Sequence, residues 1–226
     1  MNILITGAGR GIGLACVKQL AANANYNIIA VSRNIGAIEG LALPNVHAIA
    51  ADITQAENVD TLVNTITNRY GKIDVLVNNA GLLVNRPFTD FTNDDARRIF
   101  EVNFFAPARL VQVLTPHINH GGHIVNIGSM GGYQGSQKFA GLAYYSASKA
   151  ALAVLTECLA EELKDAGIRI NCLALGSVQT EMLQEAFPGY QSPTTVEEMA
   201  HFITDFALHS GKLFNGKVLP VSVATP

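Results

Sequence analysis

The chain has 226 residues and a formal net charge of −3, with 49% of residues hydrophobic against 15% charged. Such a balance suits a sheet buried on both faces by helices, and the length suits a single domain over residues 1–226. The small negative charge offers no electrostatic footprint for nucleic acid or an anionic membrane, and Cys16, Cys158 and Cys172 are too scattered for a disulfide framework or a zinc pattern.

No basic, cleavable leader opens the sequence and no apolar run reaches membrane-spanning length, so a reducing cytoplasmic setting is expected. Residues 3–6 read as a buried strand, followed by glycines at 7, 9, 11 and 13 and an apolar-periodic helix over 11–24. Next come strands over 27–32 and 46–51, a helix over 55–70 and a strand over 73–78. A long helical pattern over 94–117 is expected to break before Asn103. Strand 122–127, helix 143–166, strand 168–174, helix 195–209 and strand 217–223 complete the chain. The alternation predicts a doubly wound α/β fold with a seven-stranded parallel sheet. Within helix 143–166, Leu152, Leu155, Leu159 and Leu163 make one apolar face, to be buried in the domain or against another subunit. His117, His120 and His123 straddle Pro116 and Gly121-Gly122, which suits a helix end and a strand start better than a metal site; no metal is expected.

Two segments carry chemistry. Glycines in a turn between a buried strand and a helix let the backbone approach a pyrophosphate, whose charge meets free N–H groups at the helix N-terminus. The spacing here is Gly7-x-x-x-Gly11-x-Gly13. An acidic residue ending the second strand would select NAD through the ribose 2′-hydroxyl, but Ser32 and Arg33 stand there, and Arg10 adds a cation inside the cradle. Guanidinium groups pair with phosphate, so NADP(H) is expected over NAD(H). The second segment, Tyr145-Ser146-Ala147-Ser148-Lys149, places a phenol and an ammonium on one helix face, where the ammonium is expected to lower the phenol pKa.

Taken together, the motifs resemble the short-chain dehydrogenase/reductase family over nearly the whole chain. Thr6 to Gly13 is similar to its T-G-x-x-x-G-x-G motif, Asn78-Asn79-Ala80-Gly81 to its N-N-A-G motif, and Tyr145 to Lys149 to its Y-x-x-x-K motif. The resemblance implies a Rossmann-type sheet, with Asp52 contacting the adenine amino group beside Ile53. It places Ile12, Asn79, Ala80, Gly81, Val178 and Thr180 around the cofactor with the cradle glycines. Asn103 and Ser129 would join Tyr145 and Lys149 as catalytic residues. The implied reaction interconverts a small-molecule carbonyl and alcohol by hydride transfer, in a homodimer or homotetramer. The same scaffold could instead reduce a pteridine or quinone, or serve as an NADP(H)-binding sensor or interaction protein with little turnover.

Three features depart from the family pattern. Sixteen positions separate Ser129 from Tyr145, a few more than usual. Leu175-Gly176 replaces Pro-Gly, which should loosen a turn beside the nicotinamide carboxamide. The segment over 181–192 is short for a substrate lid, so an open site, or one completed by a second subunit, is expected. Bulky hydrophobic substrates reaching Tyr133, Phe139 and Phe187 should bind better than small ketones.

Overall fold

Ile3, Leu4 and Ile5 are each at most 1% exposed, although successive strand side chains point to opposite faces. A core exists on both sides of the sheet. Ile3 and Ile5 pack under α1 (Gly11–Ala21) and α8 (Val196–His209), while Leu4 packs under α3 (Ala56–Tyr70), α5 (Ala106–Leu114) and α6 (Ala143–Glu162). Each fully buried branched side chain contributes about 1.5–3 kcal/mol through removal of apolar surface from water.

The computed structural model describes residues 1–223. The seven strands are β1 (Asn2–Thr6), β2 (Asn27–Ser32), β3 (Val46–Ala50), β4 (Ile73–Asn78), β5 (Ile118–Ser129), β6 (Arg169–Leu175) and β7 (Val218–Val221). All neighbouring pairs are parallel, in the order β3-β2-β1-β4-β5-β6-β7. This is the expected doubly wound, Rossmann-type sheet. Strand order reverses between β1 and β4, and a crevice opens above the carboxyl ends there.

Several boundaries differ from the sequence reading. β5 begins at Ile118 rather than 122, because Ile118 already pairs with Ile73 before a register shift lets His123 pair with Val75. The helical pattern over 94–117 does not break before Asn103. A Thr92–Asp95 capping box starts α4 (Asn93–Phe100), which widens into a π-helical turn over Glu101–Phe105 and continues as α5. Two short helices, α2 (Gly36–Glu39) and α7 (Glu181–Ala186), were not anticipated. On α6, Leu152 and Leu163 are buried whereas Leu155 and Leu159 are half-buried, so much of that face is used inside the subunit.

The three histidines do not converge on one point. His123 is buried, donating from Nδ1 to the Ala207 carbonyl (2.9 Å) and accepting at Nε2 from Asn171 Nδ2 (2.9 Å). Asn171 cannot turn to accept a second ring proton, since its Nδ2 also donates to Phe214 O and its Oδ1 accepts from Lys217 N. Burial accordingly depresses the His123 pKa, with the Ala207 bond opposing it. The unfolded chain binds this proton below its ordinary pKa of about 6.5 while the folded chain refuses it, so stability is full above that pH and falls as pH drops. The thermal midpoint should therefore fall by several degrees from pH 7.5 to 5.5, with a smaller fall in His123→Gln. Parallel curves for the two proteins would remove His123 from the acid response.

Candidate active site

The crevice above the strand ends is a cleft of about 1180 Å³, beyond the few hundred to 1,000 Å³ of a drug-sized pocket and roomy enough for a dinucleotide with a substrate. At its floor, β1 turns through Gly7 at φ +66. A β-carbon there would stand 2.7 Å from Ala80 Cα, and one on Gly13 would strike Gly7 O and Asn79 Nδ2. Asn79 locks this contact, donating from Nδ2 to Thr6 O (3.0 Å) and Gly7 O (3.1 Å), while Thr6 Oγ1 accepts from the Asn79 and Ala80 amides. Gly9 admits Ser32 Oγ and Asn34 O, which joins the cradle to the end of β2. Helix α1 has no side-chain cap and no acid in its first turn, so its N-terminal amides face the cleft unsatisfied by their own helix.

The residues named from sequence for cofactor binding line this cleft: Gly7, Gly9, Arg10, Gly11, Ile12, Ser32, Arg33, Asp52, Ile53, Asn79, Ala80, Gly81, Val178 and Thr180. Gly13 lies behind the lining and sets the packing of the turn. Some polar groups are already engaged. Asp52 Oδ1 accepts from Thr54 N and Oγ1, and Thr180 Oγ1 caps α7 by accepting from Leu183 N (3.2 Å). Arg33 is exposed, but Arg10 is bound to Glu185 of α7 at 2.7 Å, so the two arginines are not equivalent cations.

Ser129, Tyr145 and Lys149 also line the cleft. Ser129 ends β5, where its Oγ accepts from Gly131 N (3.1 Å) and its side chain favours ionisation of the Tyr145 phenol. The next turn is clamped to α6, since a β-carbon on Gly132 would sit 2.6 Å from Ala150 N. Tyr144 points elsewhere, into a ring cluster with Phe88 and Phe91, so of these two adjacent tyrosines it is Tyr145 that lines the cleft, together with Tyr190 from the lid. The expected lowering of the Tyr145 pKa by Lys149 is overturned here. Burial pushes the phenol up, with the Ser129 side chain opposing it, while Lys149 donates to Ile127 O at 2.7 Å. Lys149 is itself buried, and loss of water brings its pKa down to about 8.

Asn103 is fully buried in the π turn. Its Oδ1 accepts from Leu82 N (2.8 Å), and its Nδ2 donates to Leu82 O (2.9 Å) and Ser148 Oγ (3.0 Å). It therefore holds the loop after β4 against α6. Gly81 stands between, its notional β-carbon 3.5 Å from Asn103 Oδ1 and 3.6 Å from Lys149 Nζ.

The departures noted in the sequence have structural answers. Leu175 extends β6 beside Ser129 and Val221, and Gly176 N donates to Val221 O (2.9 Å), so the turn is not loosened. The short lid is stitched down rather than open. Ser192 N donates to Gln179 Oε1 (2.7 Å), Ser192 Oγ to Ser177 O (2.8 Å), and Asn85 Nδ2 to Ala186 O (2.9 Å). Asn85 fits because Gly141 has no side chain, and the Arg86 amide donates to Gly141 O (3.0 Å). The longer loop over 130–142 thus braces the lid, and it contributes Phe139 and Leu142 to the wall beside Met182 and Phe187. Tyr133 does not reach the cleft lining; its carbonyl accepts from Lys138 (2.6 Å). Sequence reasoning missed Asn85, which carries no motif. It also missed Glu181 and Glu185, whose four-residue spacing after a Thr cap was a readable signal.

The family model for short chain dehydrogenase matches residues 1–191. A hydroxynaphthalene reductase of Aspergillus fumigatus is 30% identical over 207 residues, covering 87% of this chain and 74% of that protein. A solved short chain dehydrogenase from Burkholderia cenocepacia in complex with NADP superposes with a TM-score of 0.85 at 30% identity, over 99% of this chain and 96% of the other. A 3-ketoacyl-(acyl-carrier-protein) reductase from Brucella melitensis complexed with NADH gives 0.86 at 26% identity, over 98% and 96%.

Proposed function

The chain belongs to the short-chain dehydrogenase family of oxidoreductases, and on that premise we propose that it interconverts a carbonyl and an alcohol with NADP(H) as the hydride carrier. The observation that carries the reading is that Ser129, Tyr145 and buried Lys149 line the same cleft as the glycine cradle. The residues fit a dinucleotide. Uncapped α1 amides suit its pyrophosphate, Asp52 and Ile53 its adenine end, Arg33 a 2′-phosphate, and Val178 the nicotinamide end. When bound, the nicotinamide supplies a hydride to the carbonyl carbon.

Ser129 Oγ donates to the carbonyl oxygen of the substrate, and Tyr145 delivers the proton as that oxygen becomes an alkoxide. A phenol kept neutral by burial is in the right state to give a proton. Lys149, whose pKa burial brings down to about 8, can take up or give up a proton one helical turn from Tyr145. Asn103 fixes Leu82 and Ser148, and through them the geometry around Lys149. Met182, Phe139, Leu142 and Phe187 favour bulky apolar carbonyl compounds. A homodimer or homotetramer would cover Phe105 and Val154, 49% and 58% exposed beside the catalytic helices.

Titration by cofactor fluorescence, which no tryptophan in this chain will obscure, should show NADPH binding tighter than NADH. Arg33→Ala should weaken NADPH roughly 10-fold and leave NADH within about twofold. Equal affinities in the wild type would sink the NADP preference. A panel of ketones, diketones, quinones and acyl thioesters with NADPH tests the chemistry, and binding without any turnover would favour the sensor reading.

A further inference from the structure

Arg10 and Glu185 meet across the mouth of the cradle, Nη1 donating to Oε1 at 2.7 Å and Nη2 to Oε2 at 3.4 Å. Their side chains are 54% and 63% exposed, so water and salt screen the pair and a stronger anion can replace the carboxylate. Glu181 lies one turn earlier on α7. Its Oε2 stands 3.4 Å from where a Gly11 β-carbon would be, beside the α1 amides. Both carboxylates add to the hold of Arg10 on its proton, and Arg10 in turn keeps Glu185 below the usual carboxylate range. The lid thus presents two anions to a cradle shaped for phosphates, one on Arg10 and one beside Gly11.

We propose that Glu185 is a specificity-determining residue: it occupies Arg10 in place of a cofactor 2′-phosphate and so narrows the margin by which NADP(H) is preferred over NAD(H). NADP(H) must exchange one anion for another at Arg10, which yields little, whereas NAD(H) leaves the pair undisturbed. Arg33, which has no carboxylate partner among the described residues, then carries most of the discrimination. Glu181 faces the amides that any pyrophosphate would use, so its charge opposes both cofactors alike. The inference rests on the dinucleotide-binding reading above, though not on which dinucleotide is preferred.

The test is calorimetric titration of NADP⁺ and NAD⁺ at low salt into wild type, Glu185→Gln, Glu181→Gln, Arg10→Ala and the Arg10→Ala/Glu185→Gln double variant. Glu185→Gln should tighten NADP⁺ about two- to fivefold and leave NAD⁺ unchanged, with the gain absent in the Arg10→Ala background. Glu181→Gln should tighten both cofactors by similar factors. An unchanged NADP⁺-to-NAD⁺ ratio in Glu185→Gln, or a gain that survives Arg10→Ala, would overturn the proposal. Wild type that binds neither cofactor would end this inference and the functional reading together. Wild type without NADP⁺ preference, whose ratio still shifts in Glu185→Gln, would end the preference alone.

Discussion

Tyr145→Phe is expected to lower kcat/KM about 10²–10⁴-fold while NADPH affinity stays within about twofold. The substitution removes one oxygen and keeps the ring, so packing in the cleft hardly changes. What disappears is the proposed proton donor, the phenol beside Ser129. Tyr144 cannot deputise, since it is held by Phe88 at 5.7 Å and Phe91 at 5.1 Å between ring centres. The check is steady-state kinetics on any carbonyl the wild type reduces, with cofactor titration alongside. Turnover within threefold of wild type would mean that some other acid protonates the alkoxide.

Lys149→Met should abolish measurable turnover and yet make the ligand-free protein more stable at pH 7. Burial brings the lysine from its ordinary 10.5 to about 8, a cost on the order of 3 kcal/mol for keeping the charge inside at neutral pH. Losing the bond to Ile127 O returns part of this, leaving a net gain of about 1–2 kcal/mol, or roughly 2–8 °C. The sign follows from proton binding. Between pH 8 and 10.5 the unfolded chain still holds the proton that the folded chain has released, so wild-type stability climbs through that window and the advantage of the variant shrinks. Thermal midpoints at pH 7 and pH 10 decide the matter. A variant less stable than wild type at pH 7 would show that the ammonium is stabilised by its surroundings rather than tolerated.

Much of the architecture was legible because its signals are local. Strands such as Ile3-Leu4-Ile5 advertise burial on both faces, and glycines at 7 and 13 are required wherever a turn brings backbone against Ala80 and Asn79. Tyr145 and Lys149 followed from helical spacing. The electrostatics between them did not, because the direction of the Lys149 side chain depends on Ile127, a residue 22 positions earlier on another strand. The π turn at Asn103 was invisible for the same reason: a widened helix is stabilised by Leu82 and Ser148, neither of which is near in sequence. The lid was misjudged by length alone. Whether twelve residues close a cleft depends on what pins them, and Asn85 and Gly141 belong to two other loops.

The segment over 181–192 is held at separated points, α7 by Asn85 and Arg10 and Ser192 by Gln179 and Ser177, so it cannot swing on a single hinge. Contacts of this kind must yield together, which makes release of the cover one concerted, slow motion rather than a fast flutter. On the proposed reading, a dinucleotide beneath it would have a residence time set by side chains remote from the reacting atoms. Sequence drift in these contacts would retune how long cofactor dwells, and with it the pace of each catalytic cycle, while leaving the chemistry at Tyr145 untouched.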